Sequence, residues 1–441
     1  MNKIKWYPVV LKTIEGNKWG YIDKTGRFVV RPVFQEANDF QENGLAIVKI
    51  DNKYGVINDK FAFVVRPKYE TVMPFSEGLA AVIDESGYRV IDESGKVLTN
   101  KSYSYIGKYI DSRAVAAGFT KDGKYLYGYL NEKGEEIIPL QFEFAQDFHN
   151  RKAVVQVKEK LHALIDKDGR ILQTFPYETV GPLREGKMAF QKEMNASFGY
   201  IDERGEIVIK PQFRTAEPFQ DGRAVVSIER DRWNRYGLID EKGNIIIPLQ
   251  YDDARLLDSG RVALGKARNE QIPYFTSVYA IAATNGKLLT DFRYYGVMNY
   301  ERGYASSYDE EKTFFIDVHG KVASHLPIVS GSGTMTFIGD LIKAFVDDRL
   351  FYFRKDGTLI WQPNTIIPLS GEYRISEKKF RPNKDYVVYV PQICGMQDKN
   401  KERKVNEELK KLSQIKDIPS NEMLDYSYTG DFSVEFFQKH L

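Results

Sequence analysis

Hydrophobic and polar positions along this chain recur as a block. The block reads aromatic–Gly–Tyr–Ile–Asp–x–x–Gly, as at Trp19-Gly20-Tyr21-Ile22-Asp23 with Gly26 ending the turn. The Asp position recurs at Asp23, Asn58, Asp92, Asn131, Asp166, Asp202, Asp240, Ala283, Asp317 and Arg354. Steps of roughly 34 to 43 residues mark a tandem repeat architecture. The two positions before it stay apolar, as in Tyr21-Ile22, Val56-Ile57, Val90-Ile91 and Leu238-Ile239. Successive strand side chains point to opposite faces, so this pair predicts a strand covered on both sides.

The other positions carry their own physics. Gly20, Gly55, Gly128, Gly199 and Gly237 share one position, with Ala163 and Ala280 as small substitutes. A strand without a side chain lets another group approach its backbone. The aromatic just before it (Trp19, Tyr54, Tyr88, Tyr127, Phe198, Tyr236, Tyr279) is therefore expected to lie over the glycine of a neighbouring unit. Asp–x–x–Gly is turn chemistry: the side chain bonds its own backbone and glycine supplies a positive φ. A β-branched run follows, as in Phe28-Val29-Val30, and is stopped by Pro32, Pro67, Pro139, Pro211 or Pro248. Gly44-Leu45-Ala46, Gly78-Leu79-Ala80 and Gly222-Arg223-Ala224 mark a third segment. Each unit reads as roughly three short strands with tight turns.

Such a unit cannot bury two apolar faces alone, so neighbours must stack on it. The expected fold is an all-β tandem repeat array of about ten units over residues 1–365. Propellers commonly hold about 4–8 blades, which favours an open curved or spiral stack, with a closed propeller-like toroid as the alternative. Ala280, Phe314 and Phe351 replace glycine in the last units, a drift that suits a terminal cap. The period ends near Pro368. Residues 366–380 are expected to be a linker, and 381–441 a small α+β domain. Within that domain Tyr386-Val387-Val388-Tyr389-Val390-Pro391 reads as a strand. Residues 398–416 read as an amphipathic helix bearing Val405, Leu409 and Leu412, and 425–434 alternate like a strand.

These residues resemble the bacterial WG-repeat family, whose Trp-Gly pair appears here as Trp19-Gly20, with Tyr54-Gly55, Tyr127-Gly128, Phe198-Gly199 and Tyr236-Gly237 as variants. The resemblance covers about residues 15 to 365 and implies an all-β repeat array without established catalytic residues. The C-terminal segment, with Tyr389-Val390-Pro391-Gln392-Ile393-Cys394-Gly395 and Val405-Asn406-Glu407-Glu408-Leu409, resembles the start of a different domain. That domain is shared by a bacterial peptidoglycan deacetylase, outside its catalytic part, and a lysozyme-sensing anti-sigma factor. The match is either a shortened version or one that continues past Leu441. It implies a connection with the cell wall.

Composition narrows the function. Sixty-three Lys+Arg against 61 Asp+Glu leave a net charge of +2, which removes the electrostatic footprint of a dedicated nucleic-acid binder. The lone Cys394 excludes an intrachain disulfide and any Cys-based zinc site. A short apolar patch at residues 6–11 is followed by Lys12 and then Glu15, so it reads as an opening strand and not as a secretory signal. No stretch reaches the ~18 apolar residues of a membrane span. A cytoplasmic location is expected.

Candidate chemistry is sparse. Of the five histidines, His162 fills an aromatic position and is expected to be packed, while His149 sits in a loop and is expected to be solvated. Asp317, His319 and His325 are close enough in sequence to suggest a metal. Yet Asp317 and His319 belong to the repeat turn, and no third ligand is placed nearby. Asp84-Glu85-Ser86-Gly87 and Asp92-Glu93-Ser94-Gly95 lack the alternating oxygens and distal Glu of an EF-hand calcium loop. Ser330-Gly331-Ser332-Gly333-Thr334 lacks the Gly-Lys-Ser/Thr ending of a phosphate-binding loop. Cys394 has no partner to activate it and is expected to fill space. No catalytic residue, metal ligand or cofactor site is assigned, and the binding residues are unknown. The expectation is a non-enzymatic interaction scaffold for a protein or peptide, presented on an extended repeat surface. The alternative is binding of cell-wall glycan or a wall-associated protein.

Overall fold

The computed structural model describes residues 4–13, 16–269, 277–309, 312–329, 334–346, 349–362, 374–380, 388–394 and 403. Among the described residues the repeats form ten small antiparallel sheets, the blades of a ten-bladed β-propeller. Seven of these blades have four strands and three have three. Blade 4 shows the pattern: Tyr105–Ile106, Ala114–Phe119, Tyr125–Leu130 and Glu136–Phe142, each hydrogen-bonded to the next in chain order. Its first strand, only two residues long, is what the three-strand expectation missed. Blade 5 follows directly with Phe144–Ala145, Lys152–Lys158, Leu161–Asp166 and Ile171–Phe175.

The chain divides into two compact units, Glu70–Thr336 and Met1–Tyr69 with Phe337–Leu441. Inside Glu70–Thr336, blades stack in sequence order through shared cores. Val115, Tyr129, Ile138 and Phe142 of blade 4 meet Phe148, Val155, Ala163 and Ile165 of blade 5. The alternate residues Val154 and Leu164 turn to the other face of blade 5, against Met188, Phe190 and Ile201. The paired apolar positions are buried on both sides for this reason, as the sequence predicts.

The open stack is corrected by the other unit. Its first sheet is Tyr7–Thr13, Gly16–Ile22 and Phe28–Phe34; its last repeat sheet is Thr334–Ile338, Leu341–Val346, Arg349–Phe353 and Leu359–Trp361. Tyr7, Val9, Leu11 and Ile22 share one core with Ile338, Leu341, Leu350, Tyr352 and Trp361. The two ends of the array cover each other, so the closed alternative is the observed one and no terminal cap is needed. Closure requires no strand exchange, because the two sheets stay separate and meet through side chains.

Turns follow the sequence reading. Asp202 Oδ1 accepts the backbone N–H groups of Arg204 and Glu206, both at 2.9 Å. Asn58 and Asn131 hold the equivalent pairs. The glycine three residues on has positive φ, +83° at Gly205.

The strand glycine has a different partner from the one expected. A Cβ built on Gly128 would lie 2.4 Å from the Ile138 carbonyl oxygen of the same blade, and one on Gly55 2.6 Å from that of Val65. The cause is a bulge. Between the pairs Tyr54↔Tyr69 and Val56↔Val65 one strand advances two residues while the other advances four, with Pro67 in the excess. The bulged backbone folds over the glycine and leaves no room for a side chain. Blade 5 supplies the internal control. There Ala163 replaces glycine, the facing strand Ile171–Phe175 has no proline, and His162↔Phe175, Ala163↔Thr174 and Leu164↔Gln173 pair without a shift. The aromatic position instead packs toward the next blade, as Tyr127 does against Phe144 with ring centroids 5.5 Å apart.

In the C-terminal segment, Arg374–Phe380 pairs antiparallel with Val388–Cys394. The first of these strands falls within the stretch expected to be a linker, and the second overlaps the strand expected at 386–391. The expected helix, apart from Arg403, and the strand expected at 425–434 lie outside the described residues.

Candidate functional site

The described residues that suggested metal or calcium chemistry lie in repeat turns and on the strand that follows one of them. Asp317 Oδ1 accepts the His319 backbone N–H at 2.8 Å and that of Lys321 at 2.9 Å, the ordinary repeat turn. His325 lies on the next strand, its backbone paired with that of Phe314. Among the described residues no three His, Cys, Asp or Glu side chains cluster. Asp84 and Asp92 likewise accept their own turn N–H groups, from Ser86 and Ser94. Buried His162 faces the Tyr177 carbonyl oxygen at 3.2 Å through Nδ1, and burial pushes its pKa down. His149 is half-buried and bridges to Lys152, a more ordered place than the solvated loop expected. Residues 330–333 and His440 lie outside the described residues; Cys394 ends a strand.

What the structure does bring together is a set of rings on blades 4 and 5. Tyr125 and Tyr127 are two apart on one strand, so they share a face. Cross-strand pairing places Ala117 opposite Tyr127 on one side and opposite Tyr105 on the other. Two tyrosines thus flank a methyl group. Phe144, on the first strand of blade 5, adds a fourth ring. The Tyr125 and Tyr127 rings meet edge-on at 5.6 Å, and Phe119 joins Tyr125 at 5.2 Å.

Tyr105, Tyr125, Tyr127 and Phe144 wall an open recess of about 720 Å³, completed by Ser104, Val115, Ala145, Gln146, Asp147, Pro182 and Arg184. Tyr105, Tyr125 and Phe144 remain 43%, 39% and 48% exposed, high values for large rings in a protein whose other tyrosines are often fully buried. Burial, then the Asp147 charge and the neighbouring Tyr88 and Tyr127, push the Tyr105 phenol up. Tyr125 is pushed up by burial and by the adjacent tyrosines. Both therefore present neutral hydroxyls at neutral pH. Gln146 donates Nε2–H to the Val180 carbonyl at 3.1 Å, while its Oε1 is buried and receives no donor among the described residues.

Sequence reasoning singled out Tyr127 as a packing ring and missed Tyr105, Tyr125 and Phe144. The usable signal was Tyr125-Leu126-Tyr127, alternating aromatics that one strand places on one face; Phe144 stands on a strand of the next blade. That Tyr105 joins them depends on strand pairing, which the residues do not announce.

Blades and recess together define a repeat-built β-propeller. The WG containing repeat matches residues 19–54, 54–85, 127–160, 198–233 and 236–264, so these segments of the chain are WG-type repeats. Among solved structures it is similar to BamB from Moraxella catarrhalis, at 14% identity and a TM-score of 0.36, over 63% of this chain and 93% of that one. It is similar also to apo AztD from Citrobacter koseri, at 11% identity and a TM-score of 0.30, over 81% and 94%. Likeness at this level carries no functional inference. No curated protein sequence matches the chain. Among the described residues no helix is long and apolar enough to cross a membrane.

Proposed function

We propose that this protein is a non-enzymatic interaction scaffold that binds a protein or peptide at the aromatic recess of blades 4 and 5. The observation that carries the reading is the exposure of Tyr105, Tyr125 and Phe144 around one concavity. Tyrosine and arginine are among the residues that most often anchor protein contacts, and rigid rings lose little entropy on binding. A propeller presents such a feature on a fixed frame, with the sheets positioning each ring. We place the protein in the cytoplasm, and fractionation of the native host tests that location. For binding, peptides of twelve residues displayed on phage are selected against the purified full chain. Enrichment that disappears with the Tyr105→Ala/Tyr125→Ala variant supports the reading; selection that yields no reproducible binder, or binders indifferent to that variant, rejects it.

A second reading is favoured by the same exposed ring faces, on which sugar rings can stack. It takes cell-wall glycan as the ligand. Retention on purified peptidoglycan at moderate salt, lost in the same variant, would select it; a clean flow-through removes it.

A further inference from the structure

Blade 2, formed by Glu36–Ala37, Leu45–Ile50, Lys53–Asn58 and Phe63–Tyr69, shows what a sister blade does with the same three positions. There Glu36 pairs across to Lys49, and Lys49 to Tyr54, which is the register of Tyr105, Ala117 and Tyr127 in blade 4. Lys49 Nζ donates to Glu36 Oε1 at 2.8 Å and stands 4.9 Å from the centre of the Tyr54 ring. The Tyr54 hydroxyl donates to Glu36 Oε2 at 2.6 Å. Blade 2 is thus closed by its own ammonium, held between a carboxylate and an aromatic face. In blade 4 the carboxylate has become Tyr105 and the lysine Ala117. The ring at the third position stays, and no cation among the described residues covers Tyr105, Tyr125 or Tyr127.

We infer, building on the protein-or-peptide reading above, that the recess of blade 4 receives a lysine or arginine side chain from a basic peptide segment. That side chain occupies the place that Lys49 fills in blade 2. Aromatic faces carry negative quadrupole density and attract ammonium and guanidinium groups most strongly where water is excluded. Asp147, exposed at the recess and without an ion pair among the described residues, supplies the carboxylate that Tyr105 no longer does. Arg184, the cation among the lining residues, donates to the Leu183 carbonyl at 2.8 Å. An extended basic segment fits better than an isolated amine, because the recess is open and continues past Phe144 to Pro182.

The test uses the twelve-residue peptides selected on the full chain. The expected result is a strong excess of Lys and Arg in the binders, with binding weakened at least tenfold by Tyr105→Glu/Ala117→Lys, which rebuilds the blade 2 arrangement inside blade 4. Asp147→Asn, an exposed change that spares the packing, is expected to weaken binding several-fold. It serves as the readout should the double variant fail to fold. Binders that are acidic or uncharged overturn the inference and leave the scaffold reading standing. Basic binders whose affinity is unchanged in both variants also overturn it. No binders at all defeats the scaffold reading together with the inference.

Discussion

The Tyr352 hydroxyl donates a hydrogen bond of 2.9 Å to the Pro8 carbonyl, across 344 residues of sequence. It is a long-range copy of a short-range contact. Tyr21 donates to the Asn38 carbonyl, Tyr129 to that of Gln146 and Tyr200 to that of Glu217, each 17 residues ahead and each reaching into the next blade. The end of the array therefore treats its beginning as one more successor. The Asp340 N–H adds a second tie by donating to Tyr7 Oη at 3.1 Å.

Tyr352→Phe is expected to lower stability by about 1–3 kcal/mol, because the Pro8 carbonyl is left in a buried site without its donor. Urea unfolding followed by tyrosine and tryptophan fluorescence measures it. Tyr129→Phe, at an internal junction, should cost a similar amount. If Tyr352→Phe leaves the midpoint in place while Tyr129→Phe lowers it, the ends of the array do not close in solution.

Gly128→Ala should cost several kcal/mol, on the order of a badly overpacked core. The added methyl would sit 2.4 Å from the Ile138 carbonyl oxygen, which is backbone and has no rotamer to escape into. Gly123→Ala makes the contrast: nothing lies within 4 Å and only its φ of +78° opposes the change, a penalty of ~1 kcal/mol. Equal melting temperatures for the two variants would contradict the bulge as the reason for the glycine.

Stability should fall in acid through the repeat turns. Burial raises the Asp202 carboxyl, but the N–H groups of Glu206 and Arg204 outweigh it and hold the pKa below the ordinary 3.8. At Asp240 the hydrogen bond from the Asn244 side chain dominates, and the shift is again downward. The Asp240 turn also receives backbone N–H groups from Asn244 and Lys242, which act in the same direction. A depressed carboxyl contributes stability that is complete above the unfolded value and is lost as pH falls through the folded one. The loss therefore begins below about pH 4. Asp202→Asn/Asp240→Asn keeps the accepting oxygens, as Asn58 and Asn131 do, but cannot titrate there. Its melting temperature should drop less than the parent's between pH 6 and pH 3; parallel curves would assign acid sensitivity elsewhere.

Glu185→Ala is expected to loosen the junction between the blade that opens with Thr179–Val180 and the next, which opens with Thr215–Ala216. Glu185 Oε1 accepts the Asp221 N–H at 2.7 Å and Oε2 that of Gly222 at 2.9 Å, a carboxylate of one turn clasping the next. Charge-assisted bonds of this kind contribute about 1–3 kcal/mol when not fully solvated. Hydrogen exchange should quicken at Asp221 and Gly222 before the blade cores respond. Unaltered exchange there would show that the clasp carries no stability.

Much of the fold was legible because each requirement is local. Asp202 and Gly205 announce a turn by their own chemistry, and Leu238-Ile239 announces a strand with two dry faces. Gly128 and Pro139 could have been read together as well. Both are missing from the corresponding places of the repeat containing Ala163, a covariation inside one sequence that marks a bulge. The neighbour-aromatic expectation failed because strand pairing, and not composition, decides which backbone lies over a glycine. The recess was harder to see. Tyr125 and Tyr127 share a face by strand geometry alone, but Tyr105 reaches them only through Ala117, and Phe144 only through the packing of the next blade.

By itself the sequence determined the repeat, its turns, the all-β class and the need for each sheet to be covered by another, since these follow from side-chain periodicity and backbone preference over a few residues. Tertiary structure decided that the ends meet, as Tyr352 with Pro8, and that blade 4 stands open where blade 2 is filled by Lys49. Both outcomes depend on small rotations between sheets and on cross-strand register, which accumulate over hundreds of residues and leave no mark at any single position.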